Sequence, residues 1–391
     1  SGGTATVTVT TEDGGFSDSA EITVYYVPAN IWTAIGTMNN EFCGVFNGDG
    51  YTVRGIYINT QESYQGLFGN SYSGSIIANL GVAESYIYGG LYVGGVVGYS
   101  YNRSTVTNCY NTGSVNGEER VGGVIGYATT TNVTNCYNTG SVNGKKHVGG
   151  VVGYSRSAYN GSTTVANCYN TGSITGSNYV GGVVGDNDEG SVVGGTNIVT
   201  TNCYNTGSVA GGDYVGGVVG SGLNITDCHN EGSITGSNYV GGVVGYSRSA
   251  YNRSTTVAHC YNTGIVTGGD YVGGVVGYNI NSNRSDSPVT DCYNEGSITG
   301  GNGVGGVVGY GDGGTVTDCY NEGSITGKRN VGGVVGYNEG GTVTDCYNEG
   351  SITGKEDGTY VGGVVGYNAD EGTVTGCYNE GSVTGEEYVG G

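Results

Sequence analysis

Cys109, Cys136, Cys168, Cys203, Cys228, Cys260, Cys292, Cys319, Cys346 and Cys377 are the side chains of this sequence best suited to metal or redox chemistry, yet no two lie closer than 25 residues. Structural zinc is held by cysteine pairs two to four residues apart, so the spacing argues against zinc. A second chemical pattern is acidic. In the C-terminal half Asp291, Asp318 and Asp345 each stand four residues ahead of Glu295, Glu322 and Glu349. Stacked carboxylates repel, so they either face water or share a cation, and oxygen ligands alone would suit Ca²⁺. Neither the EF-hand pattern nor the calcium-roll nonapeptide occurs, which leaves a solvated acidic face as the simpler reading. The third pattern is aromatic: Tyr110, Tyr137, Tyr169, Tyr204, Tyr261, Tyr293, Tyr320, Tyr347 and Tyr378 each follow a cysteine, with His229 taking the place once.

What must position these residues is a repeat. Successive cysteines are separated by 27, 32, 35, 25, 32, 32, 27, 27 and 31 residues. Length varies in two places only, between "VVGY" and the next cysteine and between "TG" and "VGG", which are therefore loops. The rest of each unit holds three short β-compatible pieces, typified by "TVTDCYN", "GSITG" and "YVGGVVGY". No i, i+3, i+4 pattern of helix formers occurs. Three short strands and their turns make one coil of a parallel β-solenoid, whereas a propeller blade needs about 40 residues or more. The expected fold is all-β: a right-handed parallel β-solenoid of about ten coils, the hand following the general preference of β crossovers.

Stacking converts each repeated residue into a column. Cysteines about 4.8 Å apart are expected to form a reduced, inward-facing, metal-free ladder in which each acts as a small apolar side chain. Disulfides between neighbours fit poorly because their Cβ vectors run parallel, and the total of 11 cysteines is odd. Adjacent strand residues face opposite ways, so the tyrosines form an outward stripe, either a contact surface for sugars or partner side chains or a ladder that steadies the coils. Glycine is expected where the backbone turns with φ > 0 or lies close to another strand.

Composition narrows the function. The chain of 391 residues carries 84 Gly, and its 12 Lys+Arg against 33 Asp+Glu give a net charge of −21. Nucleic acid is an improbable partner for such a surface. No stretch approaches the ~20 apolar residues of a membrane span, and the first residues lack the form of a signal peptide. The chain reads as an interior piece of a longer protein. Polysaccharide-cleaving β-helices need unrepeated acids and bases in one groove; here nearly every Asp and Glu is a repeat copy or sits on a loop, so no catalytic residue is assigned. Sequons at Asn102, Asn132, Asn160, Asn224, Asn252 and Asn283 fall in or beside the variable loops.

"YQGLFGN", with Gly66, Leu67, Phe68 and Gly69, and its variants "GVVG" at 95–98 and "GVIG" at 123–126 resemble the GLUG motif. The lead-in "FCGVFNGDGYTVRGIYIN" at 42–59 resembles the segment usual before such repeats. The resemblance spans roughly residues 30–391. It implies a secreted or surface-displayed bacterial protein, often adhesin-like, and sometimes the region ahead of an immunoglobulin-A-cleaving zinc peptidase. The peptidase chemistry needs His-Glu-x-x-His, whereas His147, His229 and His259 are each followed by another residue than Glu.

Residues 1–27 alternate Val and Thr around Asp13, Gly14 and Gly15, as the last hairpin of an immunoglobulin-like module would. Residues 28–92 then read as a capping segment in which Trp32, Ile35, Phe42, Phe46 and Leu67 cover the first coil, and residues 93–391 as the repeats. The functional expectation is a non-catalytic, extracellular stalk or adhesive segment of a bacterial surface protein or filament. Its partners would be a glycan or protein on another cell, or a neighbouring copy, met through the longest loops at 154–164, 186–200, 246–256 and 278–288. The alternatives are the non-catalytic N-terminal region of a secreted metallopeptidase and a polysaccharide-binding or -degrading β-helix.

Overall fold

The computed structural model describes residues 3–10, 17–24, 32–158, 161–188, 198–248, 255–281, 287–355 and 360–391, the first two segments as backbone only. Gly3–Thr10 and Ser17–Val24 pair antiparallel, Gly3 opposite Val24 and Thr10 opposite Ser17, as the hairpin reading expects. Its turn at 13–15 lies outside the described residues.

From Thr33 onward the chain is a parallel β-solenoid with no helix among the described residues, and so none long and apolar enough to cross a membrane. Ser-Ile-Thr and Ser-Val-Asn pieces stack into a sheet of 12 strands, and the Tyr-Val-Gly-Gly pieces into a sheet of 11. The solenoid therefore has about eleven turns, one more than the cysteine count suggests. The extra turn precedes the first cysteine of the ladder: Leu80 pairs in register with Cys109, so the column begins with a leucine. Register is kept through the whole stack, Val142 lying beside Ile174, Ile174 beside Val209 and Val209 beside Ile234.

The later turns contain five strand segments, not three, while in the first repeats Val97–Asn111 and Ile125–Thr134 run on as longer strands. "TVTDCYN" breaks into Thr315–Thr317 and Tyr320–Asn321 because Asp318 adopts φ 52°. "YVGGVVGY" breaks between Asn302–Gly305 and Val308–Asp312, so three sheets can close around a core narrow enough for valine. Strands of two to five residues cannot stand alone; each is held by its copies above and below.

Inside, Val148, Val151, Val152, Cys168 and Ile174 are fully buried, and the same positions form one continuous apolar cluster along the rod. At the N-terminal end Phe42 and Phe46 pack on Phe68 with ring centroids 5.0 and 5.2 Å apart, and Trp32 Nε1 donates to the Leu67 carbonyl at 3.1 Å. Ile35 keeps 37% of its surface exposed.

The reason for the repeated glycines is corrected in one respect. The two glycines of Val-Gly-Gly do not have positive φ; the recurrent left-handed positions are the residue before each ladder cysteine, Asn or Asp except for His259 and Gly376, and the residue before Val-Gly-Gly, including Tyr179, Tyr214, Tyr239 and Tyr271. Close approach alone accounts for the pair. A Cβ on Gly149 would fall on the Val152 carbonyl, and one on Gly150 would fall on the Gly182 carbonyl and the side-chain amide of Asn170.

Candidate functional site

Among the described residues the geometry sorts the repeated side chains into two interior ladders, two aromatic faces and the lining of a cleft on one of them. Cys109 through Cys346 are fully buried and Cys377 is half-buried; all are free thiols. Each donates locally, Cys168 for instance to the Ala166 carbonyl at 3.3 Å. Burial is the largest influence on Cys136, Cys168, Cys228 and Cys292 and holds their thiols well above the ordinary range. A neutral, enclosed thiol is a poor nucleophile. Cys43, outside the ladder, is exposed.

A second interior ladder was not singled out in the sequence. The asparagine after each Cys-Tyr is buried from Asn111 to Asn348. Asn138 Nδ2 donates to Asn170 Oδ1 at 2.9 Å, and Asn170 Nδ2 to Asn205 Oδ1 at 2.8 Å. The column continues rung by rung to Asn379. Each amide also donates to a carbonyl two residues on, as Asn170 does to Gly172 at 2.9 Å, which closes the following turn. The signal was available: "CYN" recurs as a unit, and a buried Asn must be fully hydrogen-bonded.

The tyrosine stripe lies outside, half-exposed, as the alternation requires. Its rings stack face to face without a break from Tyr110 to Tyr378: Tyr137 and Tyr169 are 4.8 Å apart at 4°, and His229 and Tyr261 are 4.7 Å apart at 2°. The spacing is set by the strands, and each interior ring has both faces covered. Such a column presents edges and hydroxyls to a partner, not open faces for sugar stacking.

The acidic columns resolve differently. Asp291, Asp318 and Asp345 occupy the left-handed corner before the cysteine, the place taken by Asn108, Asn135, Asn167 and Asn202 in earlier turns. Asn and Asp tolerate that conformation better than other non-glycine residues, so backbone geometry accounts for their recurrence. Glu295, Glu322 and Glu349 are exposed at the following turn. Among the described residues no group of three or more His, Cys, Asp or Glu is placed to hold a metal ion.

A second aromatic face was missed because its two columns come from different positions of the unit. One is the left-handed residue before Val-Gly-Gly, the other the tyrosine that ends Val-Val-Gly-Tyr. They interlock, Tyr239 meeting Tyr278 edge-on at 5.3 Å and Tyr271 meeting Tyr310 at 5.0 Å. Where tyrosine is interrupted, charge enters. The Arg120 guanidinium sits 5.2, 5.5 and 5.3 Å from the rings of Tyr92, Tyr127 and Tyr154. His147 Nδ1 lies 3.1 Å from Asp186 Oδ2, both side chains buried, and its ring stacks on Tyr179 at 4.9 Å.

Towards the N-terminal end this face opens into a cleft of about 460 Å³ lined by Tyr72, Tyr99, Tyr101, Tyr127, Arg103 and Arg156, among others. The strand Val97–Asn111 bulges here: Asn102 and Arg103 have φ of 60° and 64°, and the register against the next turn shifts between Tyr101 and Ser104. Of the longest loops, 159–160, 189–197, 249–254 and 282–286 lie outside the described residues, and with them the sequons Asn160, Asn252 and Asn283.

The sequence signature of the GLUG motif matches residues 89–116, 117–143, 300–326, 327–353 and 357–384. Each match is one turn of the solenoid, from the Val-Gly-Gly strand to the Ser-Ile-Thr or Ser-Val-Asn strand. These five turns are GLUG repeats. The GLUG solenoid is also similar to halomucin of Haloquadratum walsbyi (strain DSM 16790 / HBSQ001), 33% identical over 105 residues, which is 25% of this chain and 1% of that protein. It is 38% identical over 69 residues, 17% of this chain, to 8% of a protein of Evansella cellulosilytica (strain ATCC 21833 / DSM 2522 / FERM P-1141 / JCM 9156 / N-4) named as a Gly-rich membrane protein. The chain thus spans a small part of the curated relatives it matches. No solved structure matches it. GLUG repeats together with relatives so named fit a structural repeat protein of a cell surface.

Proposed function

We propose that this GLUG solenoid is a non-catalytic, extracellular spacer: a stalk-like segment that carries adhesive or other modules of a larger surface protein away from the cell. One observation carries the reading. The Cys, Asn and Tyr columns and the backbone pairing pass through every turn from Cys109 to Cys377 without a break, so the chain's most constant residues are all engaged in holding one turn to the next. About eleven turns at about 4.8 Å make a rod roughly 50 Å long. The net charge of −21 suits such a rod, because like charge keeps neighbouring copies apart.

The test is to excise residues 300–353, two whole matched turns, from the full-length surface protein. A spacer should refold around the join, shorten by roughly 10 Å, and leave the protein's attachment function graded with length. Complete loss of attachment with the shortened rod still folded would overturn the spacer reading.

A further inference from the structure

We infer that the cleft beside the Asn102–Arg103 bulge binds an acidic saccharide unit, with Arg103 and Arg156 taking its carboxylate or sulfate and the tyrosine hydroxyls its ring oxygens. The cleft is the place where the repeat departs from its own rule. Tyr99 and Tyr101 stack here at 4.8 Å and Tyr72 meets Tyr101 at 4.3 Å, while the bulge swings Asn102 and Arg103 out of register and leaves a space between them and Arg156. A bulge re-aims side chains in this way. Its volume of about 460 Å³ falls in the ordinary range of small-ligand sites.

Charge points to the ligand. Arg103 is exposed and, among the described residues, has no ion-pair partner, in a chain with 12 cationic side chains against 33 acidic ones. Arg156 has Asp188 beside it on the next turn and interacts with Tyr127, while its Nε is buried without a hydrogen-bond partner among the described residues. Glu41 lies near Tyr101 and helps to hold its hydroxyl neutral, second to burial. Two guanidinium groups lining a cleft with hydroxyl-bearing rings can take one carboxylate or sulfate as a fork. The overall charge of −21 would repel a continuous polyanion, which leaves a hydroxyl-rich ligand with sparse charges. Thr129 and Thr130 add hydroxyls to the lining. The segment "YNRST" of 101–105 recurs at 251–255, largely outside the described residues.

The inference is independent of the spacer role. It is tested by calorimetric titration of the whole chain with 3′-sialyllactose, a 3′-sulfated galactoside, neutral lactose and a triglutamate peptide. The expected result is binding of one or both charged sugars at least tenfold tighter than lactose or the peptide. Arg103→Ala should weaken it at least tenfold with an unchanged melting midpoint, and Arg103→Lys should weaken it less. Equal binding of lactose, equal binding of the peptide, no binding of either charged sugar at millimolar concentration, or an Arg103→Ala variant that binds like the parent would each overturn the assignment.

Discussion

Gly150 lies against the side-chain amide of Asn170 across the same turn, so closely that a methyl group on Gly150 would overlap the amide carbon. The same contact joins Gly123 to Asn138, Gly182 to Asn205 and Gly306 to Asn321. The second glycine of Val-Gly-Gly and the asparagine of Cys-Tyr-Asn are therefore one device: the missing side chain makes room for the amide that bridges the turns.

Replacing Gly150 by Ala should destabilise the rod by about 3 kcal/mol, at the upper end of overpacking costs, because backbone and a buried amide both have to move. Gly311→Ala is the control, since a Cβ there would meet only the Asn338 Oδ1 at 4.0 Å. Denaturant titration of both variants should show a large loss for the first and little for the second; equal losses would contradict the pairing.

Asn170→Ala should cost about 3 kcal/mol, since it strands the Asn138 amide, the Asn205 carbonyl oxygen and the Gly172 backbone groups at once. Asn379→Ala, at a half-buried rung, should cost clearly less. A reversed order in chemical unfolding would show that the ladder does not carry stability.

Thiol labelling should be strongly biphasic. Cys43 is exposed and should react at once; Cys109 to Cys346 are buried and should react only as turns open, with Cys377 between. After denaturation without reductant all 11 cysteines should label. Recovery of one thiol or none would mean that the ladder is cross-linked.

Alkali should unfold the rod. Burial raises the thiols of Cys136, Cys168, Cys228 and Cys292 and pushes Tyr99 and Tyr320 up to about 12. A group whose pKa is raised by folding contributes stability fully below its unfolded value, about 8.5 for Cys and about 10 for Tyr, and loses it as pH rises through the folded value. The denaturation midpoint should hold steady near neutrality and fall above about pH 9. His229 acts at the other end: burial lowers its pKa, so its contribution is present above the unfolded value of about 6.5 and lost as pH falls. A flat profile from pH 7 to 11 would refute the alkaline prediction.

Face-to-face stacking gives the Tyr169→Ala substitution a cost of about 1–2 kcal/mol, while Tyr169→His should be mild, because His229 already stacks between Tyr204 and Tyr261 at 5.1 and 4.7 Å. Thermal melts of the two variants should separate them; identical melts would make the column decorative.

The repeat, the all-β class and the parallel stacking were written in the sequence by residues that recur at one position of every unit: Cys168, Val148, Tyr169. Periodicity determines which residue lies above which copy of itself, because in-register parallel pairing maps each position onto its own copy one turn away. It does not determine which different positions meet across the coil. That Gly150 touches Asn170, that Tyr239 meets Tyr278, and that Arg103 and Arg156 share a cleft depends on the angles of the corners, and those corners are turned by left-handed Asp, Asn and Tyr residues with no unusual spelling. Leu80 in the cysteine column shows the same limit, since only the stacked turn reveals a leucine standing where the later copies carry a thiol.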